Sequence, residues 1–163
     1  MDKNIDDVLN MTIDNAYDFF LNNNQTKISN KLKCLIDVGM GYVNLGQSSS
    51  TLSGGEAQRI KLAYFLSMRS KSKNGLFLFD EPTTGLHFDD IKKLLISINS
   101  LVDMGNSVIL IEHNMELVKC SDHIIDLGPK GGNNGGKVLF SGVVKKYLNK
   151  KFPTAYYLEK VYK

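Results

Sequence analysis

Apolar residues in the opening third of the chain recur every three to four positions, the spacing of one helix face. Ile13, Ala16, Tyr17 and Phe20 follow Thr12, a hydroxyl residue suited to accept from the first unpaired amides of a helix, so a helix is predicted from there. A second is predicted from about Thr26 to Val38, with Ile28, Leu32, Leu35 and Ile36 on one face and Gly39 placed to end it. Residues 41–50 are rich in Gly, Ser and Asn and read as a loop. Another helix is expected from Gly54 to about Met68, with Ala57, Ile60, Ala63 and Leu66 pointing inward.

The pattern then changes. Leu76-Phe77-Leu78-Phe79 and Val108-Ile109-Leu110-Ile111 are short continuous apolar runs, the form taken by strands buried on both faces of a parallel sheet. Between them the helical period returns from about Phe88 to Met104, carried by Ile91, Leu94, Leu95, Ile98, Leu101 and Val102, and Gly105 stops it. After Glu112-His113 come a short helix at Met115–Lys119, the apolar stretch Ile124-Ile125-Asp126-Leu127, and a glycine-rich turn over Gly128–Gly136. Val138-Leu139-Phe140 reads as one more strand and Val143–Leu148 as a last helix. Strands alternating with helices define an α/β class with a parallel or mixed sheet. Residues 1–50 are expected to form a helical lead-in and residues 51–163 the α/β portion.

Composition narrows this picture only a little. The length, 163 residues, suits one domain, and 42% hydrophobic with 23% charged residues is globular. A net charge of +3 permits a nucleic-acid partner without arguing for one, because the Lys pairs at 92–93, 145–146 and 150–151 are most simply solvated helix faces. Two cysteines, Cys34 and Cys120, cannot make a four-cysteine zinc site. Met1 is followed by acidic and polar residues, and no apolar run approaches the roughly 18–20 residues of a membrane helix. A cytoplasmic chain with no membrane partner is the expectation.

Three segments carry candidate chemistry. Leu76–Pro82 reads LFLFDEP: a strand ending in Asp80 and Glu81, at the sheet edge where α/β proteins bind ligands. A carboxylate there can hold Mg²⁺ through its waters, and a neighbouring one can orient or deprotonate an attacking water; a plain turn with a helix cap is the other reading. His113 follows the second buried run, so the same edge is expected for it, where an imidazole can hydrogen-bond a phosphate or water; solvated surface is its simpler reading. Thr51–Arg59 reads TLSGGEAQR. Ser53 with Glu56 forms a capping-box pattern, while the first-turn amides of Gly54, Gly55 and Glu56, with the helix dipole, form an anion site. The two roles are compatible.

In that order, the segments resemble the second half of an ABC-type ATPase nucleotide domain. TLSGGEAQR resembles the signature loop, LFLFDEP the Walker B strand with its catalytic glutamate, Thr83-Thr84-Gly85-Leu86-His87 the D-loop, and Ile111-Glu112-His113 the switch histidine. FDEPTTGLHFDDIKKLL, GNSVILIEHNMELVKCSDHIIDLGPKGGNNGG and LIDVGMGYVNLGQSSSTLSGGEAQRIKLA are similar to the C-terminal nucleotide domain of the UvrA family of the ABC excinuclease, damage-recognition ATPases of bacterial nucleotide excision repair. The opening DDVLNMTIDNAYDFF fits the same family, so the resemblance covers about 150 of 163 residues.

The resemblance implies ATP and Mg²⁺ as cofactors. It implies Glu81 and His113 as catalytic residues, Asp80 as the Mg²⁺ residue acting through water, and Ser53, Gly54, Gly55, Glu56 and Gln58 as nucleotide-binding. Thr84, Gly85, Leu86 and His87 would form the D-loop. In such dimers Asp80, Glu81 and His113 serve one ATP while Ser53, Gly54, Gly55 and Gln58 face the γ-phosphate of the other. Implied partners are a homodimer mate, the excinuclease component UvrB, and damaged DNA contacted through the full-length protein.

One part of the pattern is missing. Gly131-Gly132-Asn133-Asn134-Gly135-Gly136-Lys137 approaches the P-loop consensus, but Val138 lacks its hydroxyl and the segment follows the Asp-Glu strand instead of preceding it. It reads as a turn. The expectation is a partial ABC-type domain without its P-loop strand, Q-loop or zinc-binding CxxC pairs, whose P-loop-bearing remainder is itself a required partner, and which neither binds ATP tightly nor hydrolyses it alone. Alternatives are a remnant without ATPase function or, less in keeping with LHFDD, the ATPase component of a transporter.

Overall fold

A computed structural model describes residues 2–67, 74–132 and 135–162 of the chain. The chain falls into two compact units, 1–111 and 112–163.

The first unit opens with α1 (Ile5–Leu9), whose Asn4 and Asp7 form a reciprocal cap, and α2 (Ile13–Asn22), where the Thr12 hydroxyl accepts from the Asn15 amide at 3.2 Å. α3 (Thr26–Ile36) ends as its glycine predicts. Gly39 sits at φ +76, its N–H donates to the Ile36 carbonyl, and the Met40 N–H donates to Leu35, the two bonds of a Schellman stop. A 3-10 turn at Ser49–Thr51 leads into α4 (Gly54–Ser67); the helix end expected at Met68 lies outside the described residues. β1 (Leu76–Asp80), α5 (Phe88–Asp103) and β2 (Ser107–Ile111) complete the unit, with Gly105 at φ +88 turning the chain after α5.

β1 and β2 pair in parallel from Leu76↔Ser107 to Asp80↔Ile111. Their inner face, with Phe77, Phe79, Val108 and Leu110, joins Leu62 of α4, Leu94, Ile98 and Leu101 of α5, and Ile13, Ala16, Leu32 and Met40 of the helical lead-in in one core. Burial on both faces, expected from the continuous apolar runs, is met on this face alone. Leu78 is 68% exposed and Ile111 62%, with Leu76 and Ile109 beside them. α4 and α5 line a single side of the pair, so alternate residues of each strand stay open.

α4 buries Ala63 as its aliphatic spacing predicts, and adds residues which that spacing does not single out. Gly55, Arg59, Leu62 and Ala63 are buried, while Ile60 and Leu66 are half-buried against the core.

In the second unit, α6 (Met115–Val118) precedes an antiparallel pair, β3 (His123–Gly128) and β4 (Lys137–Val143), followed by α7 (Val144–Tyr147) and α8 (Pro153–Val161). The hydrophobic pattern does not predict α8. It starts on Pro153, whose fixed φ suits a first helical position, and buries Ala155 and Leu158 with Ile124, Val144 and Tyr147. The class is thus α/β as expected, with the parallel pair flanked by helices. Among the described residues, no helix is long and apolar enough to cross a membrane.

Candidate nucleotide site

Ser53 caps α4. Its hydroxyl accepts from the Glu56 N–H at 3.3 Å, and the Glu56 carboxylate accepts from the Ser53 N–H at 2.7 Å, the predicted capping box. The second Glu56 oxygen accepts from the Tyr42 hydroxyl at 2.6 Å. These bonds, the one from Tyr42 foremost, hold the Glu56 carboxyl below the usual carboxylate range, while burial and the same bond push the Tyr42 phenol up. Glu56 is therefore the fixed acceptor that shapes the helix start. The first-turn amides without intrahelical acceptors include those of Gly54 and Gly55. Gly54 is exposed, and a Cβ on it would meet nothing within 4 Å. Gly55 is buried: a Cβ there would lie 3.2 Å from an Arg59 nitrogen and 3.4 Å from the Thr84 carbonyl oxygen. Its missing side chain lets the helix press against the turn that follows β1.

That turn carries the acidic pair. Asp80 closes β1 and Glu81 begins the turn, both exposed. The Glu81 N–H donates to the Ile111 carbonyl at 2.8 Å, continuing the parallel ladder one step. Glu81 itself sits at φ +47, a left-handed conformation that costs a non-glycine residue roughly 1–2 kcal/mol. Its carbonyl accepts from Thr84 N–H at 3.1 Å, Gly85 lies at φ +78, and Leu86 N–H donates to Thr83 at 3.0 Å. Pro82 and Thr83 are buried; Thr84 and Gly85 are exposed, Leu86 is half-buried, and exposed His87 is the N-cap of α5 without a side-chain cap bond.

Two side chains of α4 fasten the helix to this turn. The Gln58 amide donates to the Asp80 carbonyl and accepts from the Asp80 N–H, both at 3.0 Å. The family resemblance implies Gln58 at the γ-phosphate of a neighbouring site; in the fold both ends of its amide are engaged with the main chain of Asp80. Arg59, 1% exposed, donates through one nitrogen to the carbonyls of Pro82 at 2.8 Å and Thr84 at 3.2 Å, through another to the Tyr42 hydroxyl at 3.3 Å, and through Nε to the Met40 sulfur at 3.4 Å. Neither Arg59 nor Tyr42 stands out in the sequence as a site residue. A charged residue inside a helix is by default a surface residue, and its partners are 17–25 positions away.

The first unit thus brings together Ser53–Arg59 and Asp80–His87. His113 belongs to the second unit, where it is exposed, and its N–H and that of Asn114 donate to one Glu112 oxygen at 3.1 and 3.3 Å. Asn114 in turn caps α6 by accepting from Glu116 N–H at 2.9 Å. In the glycine-rich segment, Lys137 opens strand β4, whereas a P-loop lysine opens a helix; residues 133–134 lie outside the described residues. Among the described residues, no three His, Cys, Asp or Glu side chains cluster as a metal site. A single exposed carboxylate such as Asp80 suits a cation that keeps most of its waters.

No model of a protein family matches the chain. It is 56% identical over 161 residues to UvrABC system protein A of Clostridium acetobutylicum, covering 98% of this chain and 17% of that protein. To the protein of the same name from Aquifex aeolicus it is 54% identical over 162 residues, covering 99% and 17%. The chain thus spans about a sixth of the length of these relatives. Among solved structures it superposes on UvrA2 from Deinococcus radiodurans with a TM-score of 0.82 at 44% identity, covering 98% of this chain and 19% of that one. A bacterial Atm1-family ABC exporter with ATP bound gives a TM-score of 0.54 at 19% identity over 94% of this chain and 26% of the exporter chain, a likeness of fold.

Proposed function

We propose that this chain, which belongs to the UvrABC system protein A family as a segment of it, supplies the signature helix and the acidic strand end to the composite ATP sites of a nucleotide-excision-repair ATPase. The observation that carries this is Glu81. An exposed carboxylate held in a left-handed conformation at the carboxyl end of a parallel strand is strain that a plain turn does not require, and strain of this kind gathers at functional sites.

In this reading, Glu81 orients the attacking water and accepts its proton, and Asp80 would hold Mg²⁺ through its waters. Mg²⁺ supplies charge neutralisation at the phosphates when bound. Ser53 and the amides of Gly54 and Gly55 face the γ-phosphate of the opposite site, with the α4 dipole behind them. Gln58 acts by fixing Asp80. His113 hydrogen-bonds phosphate or water, and Thr84–His87 meet the dimer mate. The signature–Walker B portion runs from residue 51, after a helical lead-in over 1–50. The open face of β1 and β2, with Leu78 and Ile111 exposed, fits a sheet completed by the P-loop-bearing remainder of such a protein. Damaged DNA and the excinuclease component UvrB are partners of that whole assembly, in the cytoplasm.

No P-loop consensus occurs in the 163 residues, so the purified chain is expected to show no steady-state ATP hydrolysis. Joined to a P-loop-bearing segment of UvrABC system protein A, it is expected to hydrolyse ATP, and Glu81→Gln to lower that rate by about 10²–10³-fold. Hydrolysis by the chain alone that Glu81→Gln abolishes overturns the division of labour. A restored rate indifferent to Glu81→Gln overturns the role of Glu81.

A further inference from the structure

The two halves of the site are joined by more than contact. From the turn, the carbonyls of Pro82 and Thr84 receive one Arg59 nitrogen at 2.8 and 3.2 Å. The other terminal Arg59 nitrogen donates to Tyr42 Oη at 3.3 Å, Tyr42 Oη donates to Glu56 Oε1 at 2.6 Å, and Glu56 Oε2 receives the Ser53 N–H at 2.7 Å. The path is continuous, and Tyr42 is its middle member although it touches neither end.

We infer that Arg59, Tyr42 and Glu56 form a positioning relay that sets the conformation of the Glu81 turn according to the state of the α4 N-terminus. Three features argue for this over simple packing. First, Arg59 is buried with its charge facing main-chain carbonyls and the Tyr42 hydroxyl. An arginine needed only to fill space would be expected to keep its head group in water. Second, the carbonyls it holds belong to the turn that fixes Glu81 at φ +47, so the bonds that stabilise the strained residue come from the helix that carries the anion-facing amides. Third, Tyr42 donates its only proton to Glu56 and accepts from Arg59, so each bond polarises the next, and movement of Ser53 or Glu56 changes what Arg59 meets.

The consequence is coupling between the two ATP sites that one chain serves. An anion drawing on the amides beside Ser53 at one site is felt at Glu81 in the other, through side chains that touch neither nucleotide. This consequence rests on the function proposed above, both for the two ATP sites and their anion at the Ser53 amides and for Glu81 as the water-activating group. The relay is a property of the folded chain and is tested without hydrolysis.

The test is amide hydrogen exchange on the ¹⁵N-labelled chain, comparing Tyr42→Phe, Arg59→Lys and the double variant. Tyr42→Phe keeps the ring and removes the hydroxyl. Its expected signature is faster exchange at the Thr84 and Leu86 amides, by about threefold, together with loss of protection at Ser53. Arg59→Lys is expected to speed exchange at Thr84 by about tenfold, and the double variant no more than Arg59→Lys alone, because both changes cut the same path. Tyr64→Phe, on the exposed side of α4, is the control and moves neither segment. Effects of Tyr42→Phe confined to Ser53–Glu56, or additive effects in the double variant, overturn the relay. Tyr42 is half exposed, so Tyr42→Phe decides the matter even where Arg59→Lys fails to fold.

Discussion

Each unit keeps one large polar side chain at its centre, and the two are built in differently. Tyr147, fully buried, packs its ring against Phe140 and Phe152 at centroid distances of 5.0 and 6.1 Å and places its hydroxyl on Asp126. It is an apolar core residue with a polar tip. Arg59 is as deeply buried, yet most of its partners are polar and they come from separate stretches of chain: Met40 and Tyr42, and the Pro82–Thr84 turn. The carbonyls of an exposed turn can ordinarily be left to water. Holding two of them from inside with a desolvated guanidinium is costly and makes sense where the turn must adopt one shape. The second unit's hub maintains a core. The first unit's hub maintains a geometry, and that geometry includes Glu81.

The contrast is sharpest in what removal does. Arg59→Met keeps the bulk of the stem but leaves the Pro82 carbonyl buried without its donor and the Thr84 carbonyl without its partner. The expected loss is about 3 kcal/mol in urea unfolding, from one buried unsatisfied acceptor at Pro82 and the lost bond at the exposed Thr84, offset in part by the desolvation no longer needed. A loss below about 1 kcal/mol would mean that water or a neighbour replaces the guanidinium, and the turn would then not depend on it.

Tyr147 makes a smaller and pH-dependent contribution. Burial, with the bond to Asp126 second, pushes its phenol from the ordinary 10.0 up to about 12. The folded chain therefore holds the proton more tightly than the unfolded chain. The associated stability is fully present below pH 10 and is lost as pH rises through about 12, amounting to about 2–3 kcal/mol over that window. Subtracting the alkaline unfolding curve of Tyr147→Phe from that of the unaltered chain should isolate this fall. Below about pH 9 the same substitution costs only the hydrogen bond to Asp126, about 1 kcal/mol. Parallel curves through about pH 12 would remove Tyr147 as the titrating group.

These hubs also mark where the sequence stops being readable. Strands β1 and β2 are legible because four apolar residues in a row suit no surface element, and Gly39 and Gly105 mark helix ends through conformations other residues adopt at a cost. The capping box at Ser53–Glu56 is equally local, three residues apart. Arg59 is not legible, because its partners are distant in sequence and a charged residue in a helix is by default a surface residue. The resemblance alone sets Gln58 at a phosphate, and only the fold shows its amide engaged 22 residues away at Asp80. The open face of the sheet is hidden for the opposite reason. An apolar run records what a strand is made to contact, whereas exposure depends on whether a covering layer is there. α8 leaves a signal that periodicity misses, a proline at its first position followed by Ala155 and Leu158 three apart.

The smallest effect tests the strain itself. Glu81→Gly removes the side chain that makes φ +47 unfavourable, a relief of roughly 1–2 kcal/mol, against roughly 0.5–1 kcal/mol for the added freedom of glycine when unfolded. The chain should gain about 0.5–1 kcal/mol in urea unfolding while losing the carboxylate proposed to activate water. A residue chosen for stability gives the reverse sign, since the contacts of the Glu81 side chain would then outweigh the strain. A gain in stability from deleting this exposed acidic group would mean that Arg59 and Gln58 hold Glu81 in place against its own preference, which is what separates this hub from the one at Tyr147.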